Sequence, residues 1–274
     1  MFRKARILAA AVSIAIAALA ATPAPAHEFW IEPESGEINP GESIVADLKV
    51  GTMLNGESYP YLSNRFVAFT DTVGGETSVI VGNDGDIPAM VKIAARPGLH
   101  VIANQTVAFR LTYDDWSKFR GYLAYEGLDQ FADLHRKRGL PESGFAERYI
   151  RYAKAVVQVG PVAASDADVR IGMPFELIAE DNPYSPTVQL LRVSLIWRGI
   201  PAANHQISIF RKDGVVTRTT AITDAAGRAS IPLPGDGEYL LNAVHLEPVD
   251  AAPVVWESHW ASMSFKLRRG VKSQ

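Results

Sequence analysis

Histidines are the residues of this chain best suited to binding a metal ion: it contains six of them and no cysteine. His245 and His259 lie at equal distances from Ala252, so a hairpin centred there would place them directly opposite each other on antiparallel strands. Directly opposed residues have Cβ atoms about 4.5–5.5 Å apart, which lets two imidazoles share one ion. The spacing therefore predicts a metal site. The alternative is two half-buried histidines, each hydrogen-bonded to a carbonyl group.

His27 is a third candidate ligand, because it follows Ala24-Pro25-Ala26, a small-x-small cleavage pattern. Cleavage after Ala26 would make His27 the first residue, with an α-amine and an imidazole able to chelate one ion. The α-amine has a pKa of about 7.7–8.0, so a metal must compete with the proton at neutral pH. His27 would join the pair if the N-terminus folds over the hairpin. Residues that could contact the ligands or wall the site are Glu28, Trp30, Glu32, Trp256 and Glu257, although large aromatics are more often core.

The chemistry of these ligands limits the metal without naming it. Nitrogen-rich sites without thiolates suit nickel, cobalt, zinc or copper, and copper has the highest intrinsic affinity. The sequence holds no H-E-x-x-H, G-x-S-x-G, phosphate-loop or dinucleotide motif, so we expect a binding protein and not an enzyme of a familiar class. The formal net charge of −3 leaves no basic footprint for nucleic acid.

The first 26 residues are predicted to be a signal peptide. Arg3, Lys4 and Arg6 precede an apolar run at residues 7–21, which is shorter than the about 20 residues of a confident transmembrane helix. Cleavage would leave 248 residues with a net charge of −6. No second run approaches membrane length, so we expect a soluble periplasmic protein. An uncleaved N-terminal anchor is the alternative.

The elements that must position the candidate ligands are mostly strands. Short alternating segments separated by Gly/Pro turns predict an antiparallel sandwich over residues 27–113. The period changes after Asp114, and residues 114–159 are predicted to be a helical connector of three helices, the third beginning at Ser143. Alternation returns over residues 160–268, and residues 269–274 are a basic tail. The predicted fold class is mainly β, with two Ig-like antiparallel β-sandwich domains joined by a short helical segment.

Five segments together resemble a known family. They are His27-Glu28-Phe29-Trp30-Ile31-Glu32-Pro33, the run YLAYEGL at 122–128, the run ERYIRYAK at 147–154, Ala243-Val244-His245, and the run WESHWAS at 256–262. With them the chain resembles a bacterial periplasmic domain-of-unknown-function family, also described as the periplasmic component of cobalt/nickel transport or a nickel-uptake substrate-specific region. Residues 223–239 also resemble Ig-like modules related to carboxypeptidase regulatory domains.

The resemblance implies a function and a site. Family members begin their mature form with a histidine, here His27, and keep the histidine that matches His245, whereas an aromatic residue is common at the position of His259. The implied function is a soluble periplasmic protein that binds nickel or cobalt and delivers the ion to a membrane permease. Three alternatives stay open: a copper chaperone, an N-terminal-histidine copper oxygenase, and an Ig-like interaction module without metal.

Overall fold

The computed structural model describes residues 27–268, which form eighteen strands and two α-helices. The predicted signal peptide and basic tail lie outside the described residues. The first strands are β1 (Glu28–Pro33), β2 (Glu37–Ile38), β3 (Ser43–Thr52), β4 (Asn55–Tyr59), β5 (Phe66–Val73), β6 (Glu76–Val79), β7 (Met90–Ile93), β8 (Gly98–Thr106) and β9 (Phe109–Tyr113). After helices α1 (Trp116–Glu126) and α2 (Gln130–Lys137) come β10 (Phe145–Val159), β11 (Phe175–Ala179), β12 (Leu190–Trp197), β13 (Ile200–Pro201), β14 (Gln206–Asp213), β15 (Val215–Ile222), β16 (Arg228–Pro232), β17 (Gly237–Ala251) and β18 (Val254–Leu267).

The strands form three sheets. A central ten-stranded sheet has the order β15-β14-β17-β18-β10-β8-β5-β6, and β2 and β9 also pair with β10. Strands β1, β3, β4 and β7 form a second sheet, and β11, β12, β13 and β16 form a third. All pairings among the described residues are antiparallel except those of β10 with β18 and with β2. The central sheet is therefore shared by two sandwiches.

Strand β10 shows why the central sheet is covered on both faces. Ala153, Ala155 and Val157 belong to the core that packs against β1 and β3, whereas Tyr152 and Val156 belong to the core with β11 and β12. Alternating residues of a strand point to opposite faces, so one strand supplies both cores. The mainly β class, with sheets packed face to face, is confirmed. Each sandwich nevertheless takes strands from both sides of the predicted domain boundaries.

The helical segment is confirmed in part. Helix α1 begins after Asp115, whose side chain accepts a hydrogen bond from the Ser117 amide, and ends at Gly127 in the left-handed conformation. The predicted third helix is wrong, because residues 145–159 form β10. A strand buried on both faces carries apolar residues at many spacings, including those of a helix. Within residues 27–268, no helix is long and apolar enough to cross a bilayer.

Candidate metal centre

The β17–β18 hairpin places four polar side chains in a square on one face. His245 pairs with His259 and Glu247 pairs with Glu257, as the predicted register requires. The two residues on each strand are two positions apart, so all four point to the same side of the sheet. The two imidazole centroids are 6.3 Å apart. The directly opposed histidine pair is confirmed, and the same alternation adds Glu247, which is not among the predicted candidates.

His259 presents a ring nitrogen to both carboxylates. Its Nε2 lies 3.1 Å from Glu257 Oε1 and 3.5 Å from Glu247 Oε1. One ligand atom from each residue lies within 4.8 Å of the others. Neither contact has hydrogen-bond geometry, so Nε2 is a buried polar atom without a hydrogen-bond partner among residues 27–268. An orphaned nitrogen between two carboxylates is the arrangement that a divalent cation would satisfy.

The other nitrogen of His259 sets the tautomer that metal binding needs. Nδ1 is 3.0 Å from the hydroxyl of Tyr152, on β10. If Nδ1 donates its proton to that oxygen, Nε2 keeps a free lone pair. Burial lowers the pKa of His259, although the Glu257 and Glu247 carboxylates oppose the shift. A neutral imidazole is the form that binds a metal.

His245 is oriented by a histidine that sequence reasoning did not connect to it. His205 Nδ1 is 3.0 Å from the Ala203 carbonyl, which can only accept a hydrogen bond. Neutral His205 therefore has a bare Nε2, which accepts from His245 Nδ1 at 3.0 Å. Burial, followed by the neighbouring His205, lowers the pKa of His245 to about 4. His245 is thus neutral, with its Nε2 free of hydrogen bonds from the described residues.

Charged and aromatic neighbours complete the cluster. The Trp197 ring lies 4.2 Å from the His245 ring and 4.5 Å from the His259 ring, measured between centroids. Arg198 Nη2 donates to Glu247 Oε1 at 2.7 Å, and Arg148 pairs with Glu257. The carboxylates are therefore held in place by guanidinium groups, and the tryptophan covers one side of the imidazoles.

His27 does not join this cluster. Strand β1 lies on the face of β18 where the hydroxyls of Ser262 and Ser264 donate to the carbonyls of Phe29 and Ile31. His259 differs from these serines by an odd number of positions, so it points to the opposite face. The expectation that the N-terminus reaches the histidine pair is therefore wrong, because a sheet lies between them.

The surroundings of His27 form a separate polar region. Its Nδ1 is 2.8 Å from Thr52 Oγ1, and burial, followed by the charge of Arg151, lowers its pKa. His27 and Glu28 line a cavity of about 410 Å³ together with Glu126 on α1. Burial raises the pKa of Glu28, and burial with the Glu28 charge raises that of Glu126 to about 8. Glu28 therefore neighbours His27 but not the hairpin cluster.

Three further candidates have other roles. Trp30 is buried in a core with Leu54, and Trp256 is buried against the helices, where its Nε1 donates to His135 Nδ1 at 3.0 Å. Neither walls the metal centre, because both indoles fill cores. Glu32 lies 3.6 Å from Lys49 Nζ, in a half-buried ion pair. Only Glu257 among these five proposed contact residues lies in the hairpin cluster.

Comparison with known proteins identifies the family. The sequence model described as "Domain of unknown function (DUF4198)" matches residues 24–247, which is most of the chain. The chain belongs to the DUF4198 family. The match includes His27, His245 and Glu247 but ends before Glu257 and His259, so the second strand of the hairpin lies outside it.

Other comparisons add little about this DUF4198 protein. No curated protein matches it. Among solved structures it is similar to the "D0-D1 domain of Intimin", at 14% identity over 86% of this chain and 96% of that one, with a TM-score of 0.22. A TM-score that low does not establish a shared fold. The chemistry of the side chains therefore has to carry the functional argument.

Proposed function

We propose that this DUF4198 protein is a soluble periplasmic protein that binds a divalent metal ion at the β17–β18 hairpin and delivers it to a membrane transporter, with nickel or cobalt as the cargo. The observation that supports the proposal is the orphaned Nε2 of His259 facing Glu257 Oε1 and Glu247 Oε1. A mixed set of imidazole nitrogen and carboxylate oxygen suits borderline ions of this kind. The protein would bind and release the ion without changing it, so we propose no enzymatic activity.

The ligands would be His259 Nε2 and the two carboxylates, with His245 Nε2 as the nearest further nitrogen. A carboxylate has about four lone-pair sites, so Glu247 and Glu257 can each bind an ion and keep their arginine partners. The two guanidinium charges weaken the attraction for a cation. Weaker binding favours release, which a delivery protein needs more than a permanent structural site does.

The location and the partner in this proposal come from the sequence. Residues 1–26 have the pattern of a signal peptide, which supports export to the periplasm. The resemblance of the HEFWIEP and WESHWAS segments to the nickel-uptake family supports transport of nickel or cobalt through a permease. The chain has no cysteine, so a thiolate site that would favour Cu(I) does not compete with this interpretation.

Calorimetric titration of Ni²⁺, Co²⁺, Zn²⁺ and Cu²⁺ into protein beginning at His27 tests the proposal. His259→Gln and Glu257→Gln should each weaken Ni²⁺ or Co²⁺ binding by at least about 100-fold. Changing a residue that only contacts a metal ligand costs up to about 100-fold in affinity, and loss of a ligand itself should cost at least as much. Glu142→Gln is the matched control, because Glu142 is exposed and forms its ion pair with Arg136, away from the hairpin cluster. Equal affinity in all variants would refute the hairpin site.

A version with one extra N-terminal residue tests His27 separately. Because His27 lies across the sheet, the extension should leave hairpin binding unchanged. Cu²⁺ binding that is lost with the extension would instead favour a copper chaperone with a terminal site at His27. Peroxide-driven turnover by the copper-loaded protein would favour the oxygenase alternative.

The second candidate function is an interaction module without metal. It is favoured by the pairs Arg198–Glu247 and Arg148–Glu257, which compensate both carboxylates without an ion. In that case the cluster is a structural ion-pair network. Glu257→Gln would then lower the thermal midpoint equally with and without a chelator, and none of the four metals would bind.

A further inference from the structure

A second cavity, of about 420 Å³, lies where β1 and β4 approach β9 and β10. Its walls are largely aromatic. Among the described residues that line it, two are arginines and none is an aspartate or a glutamate. Ligand sites of about 300–1,000 Å³ with apolar walls and few polar groups are typical of small-molecule binding. This cavity falls in the lower part of that range, so it suits a small ligand. The lining residues that matter are Phe29, Tyr59, Phe109, Tyr149, Arg65 and Arg151.

Arg151, on β10, is a half-buried cation without a carboxylate partner among the described residues. Its Nη2 donates to the His27 carbonyl at 3.3 Å. Its guanidinium lies 4.8 Å from the centroid of the Tyr149 ring and 5.5 Å from that of Phe29. Burial lowers the pKa of Arg151, and the phenols of Tyr149 and Tyr59 oppose this shift. A desolvated cation of this kind gains from an anionic partner.

Arg65 provides a second cation at the exposed side of the cavity. Its guanidinium lies 5.4 Å from the centroid of the Phe109 ring, and no described carboxylate pairs with it. Phe109 in turn stacks on Tyr149, with centroids 5.5 Å apart and an interplanar angle of 23°. The two arginines are therefore connected by a pair of aromatic faces. The cavity combines positive charge with flat apolar surface.

We propose that this cavity binds a small aromatic carboxylate, with the carboxylate on Arg151, the ring against Phe109 and Tyr149, and Arg65 adding positive charge at the exposed side. The planar guanidinium fork matches a carboxylate in bidentate geometry. A phosphate carries more charge and hydration, which two arginines in an apolar cavity compensate poorly. Aromatic walls favour a ring by offset or edge-to-face contact. This site is separate from the hairpin, so it stands independently of the proposed metal function.

Benzoate is the probe, and benzamide is its neutral counterpart of the same shape. Protein beginning at His27 is titrated with each by NMR in the presence of a chelator, so a metal at the hairpin plays no part. We expect saturable 1:1 binding of benzoate, with intermolecular NOEs from its ring protons to Phe109 and Tyr149. Benzamide should bind at least about 30-fold more weakly, because it leaves a desolvated guanidinium unpaired.

Variants separate the charge from the fold. Arg151→Gln should weaken benzoate binding by at least about 30-fold. Arg65→Gln, at an exposed position, should weaken it by a smaller factor of about 3–10, as expected for a partly solvated charge. Arg192→Gln is the control, because Arg192 lies on β12 of the third sheet, is exposed and pairs with Asp181. Circular dichroism of each variant shows whether it folds.

Several outcomes would overturn the proposal. The first is the absence of saturable benzoate binding up to about 10 mM, a concentration ten times the Kd of a 1 mM site. The second is an affinity for benzamide equal to that for benzoate. The third is a benzoate affinity that is unchanged in both Arg151→Gln and Arg65→Gln. Inorganic phosphate that binds as tightly as benzoate would assign the site to small anions and not to aromatic carboxylates. None of these results bears on Ni²⁺ or Co²⁺ binding at the hairpin.

Discussion

The unfolding free energy of Glu126→Gln, relative to that of wild type, is expected to increase as the pH rises from 5 to 8. Glu126 is the last residue of α1 and is 4% exposed. Burial, followed by the Glu28 charge, raises its pKa from 4.5 to about 8, while Arg218 opposes the shift. The folded protein therefore holds this proton more tightly than the unfolded chain. Stability from the protonated group is complete below about pH 4.5 and is lost as the pH rises towards 8.

The size of the effect follows from the pKa shift. Each pKa unit corresponds to about 1.4 kcal/mol, so a rise from 4.5 to about 8 limits the loss of unfolding free energy to about 5 kcal/mol. Local relaxation and the coupling to Glu28 reduce this value, and we expect about 2–3 kcal/mol between pH 5 and 8. Glutamine has no charge to desolvate, so its stability should not contain this pH-dependent part. Any cost of burying its amide is independent of pH.

Urea unfolding of wild type, Glu126→Gln and Glu142→Gln at pH 5, 7 and 8 measures the effect. The free-energy difference between Glu126→Gln and wild type should grow with pH, whereas that for Glu142→Gln should stay constant, because Glu142 is exposed. Comparing variants cancels the contributions of other titrating groups, such as Glu147. A difference for Glu126→Gln that is constant to within about 0.5 kcal/mol, the usual error for additive sites, would refute the reasoning.

Two further predictions concern other buried charges and rings. Because the pKa of His245 is lowered to about 4, NMR should show a neutral His245 ring at pH 5.5. The contribution of His245 to stability is complete above about pH 6.5 and falls as the pH decreases towards 4. A His245 ring that titrates near pH 6.5 would contradict the effect of burial. Lys154 is fully buried between Asp168 and Glu176. Lys154→Met should lower the unfolding free energy, measured in urea, by about 3–5 kcal/mol, because it leaves two buried carboxylates without a cation. A loss below about 1 kcal/mol would show that these two carboxylates are solvated or protonated.

Local patterns were sufficient for many elements of the fold. Alternation and Gly/Pro turns predict strands such as β3 and β17. The change in the period of apolar residues after Asp114 predicts both α1 and α2. The pairing of His245 with His259 is also predicted from a turn centred on Ala252. In the structure, however, Ala251 pairs with Val254 next to the turn, and a bulge between Pro248 and Ala251 shifts the strands into the predicted register. The alternation that places His245 on this face also places Glu247 there, because Glu247 follows two positions later.

Other features depend on contacts that no local pattern encodes. Residues 145–159 satisfy both a helical and a strand period, and only their burial between two sheets makes them β10. The parallel pairing of β10 with β18 joins distant parts of the chain into one sheet. That pairing requires both partners to fold together, so the separate sandwiches expected from the sequence share their central layer.

The sequence by itself determined which residue types are available for metal binding and which two histidines oppose each other across the last hairpin. Tertiary structure decided what surrounds them. It brings His205 to His245 from the loop before β14, and it places His27 on the opposite face of the central sheet. The physical reason is that alternation determines the face of a side chain within its own strand, whereas the packing of whole sheets determines which residues meet that face.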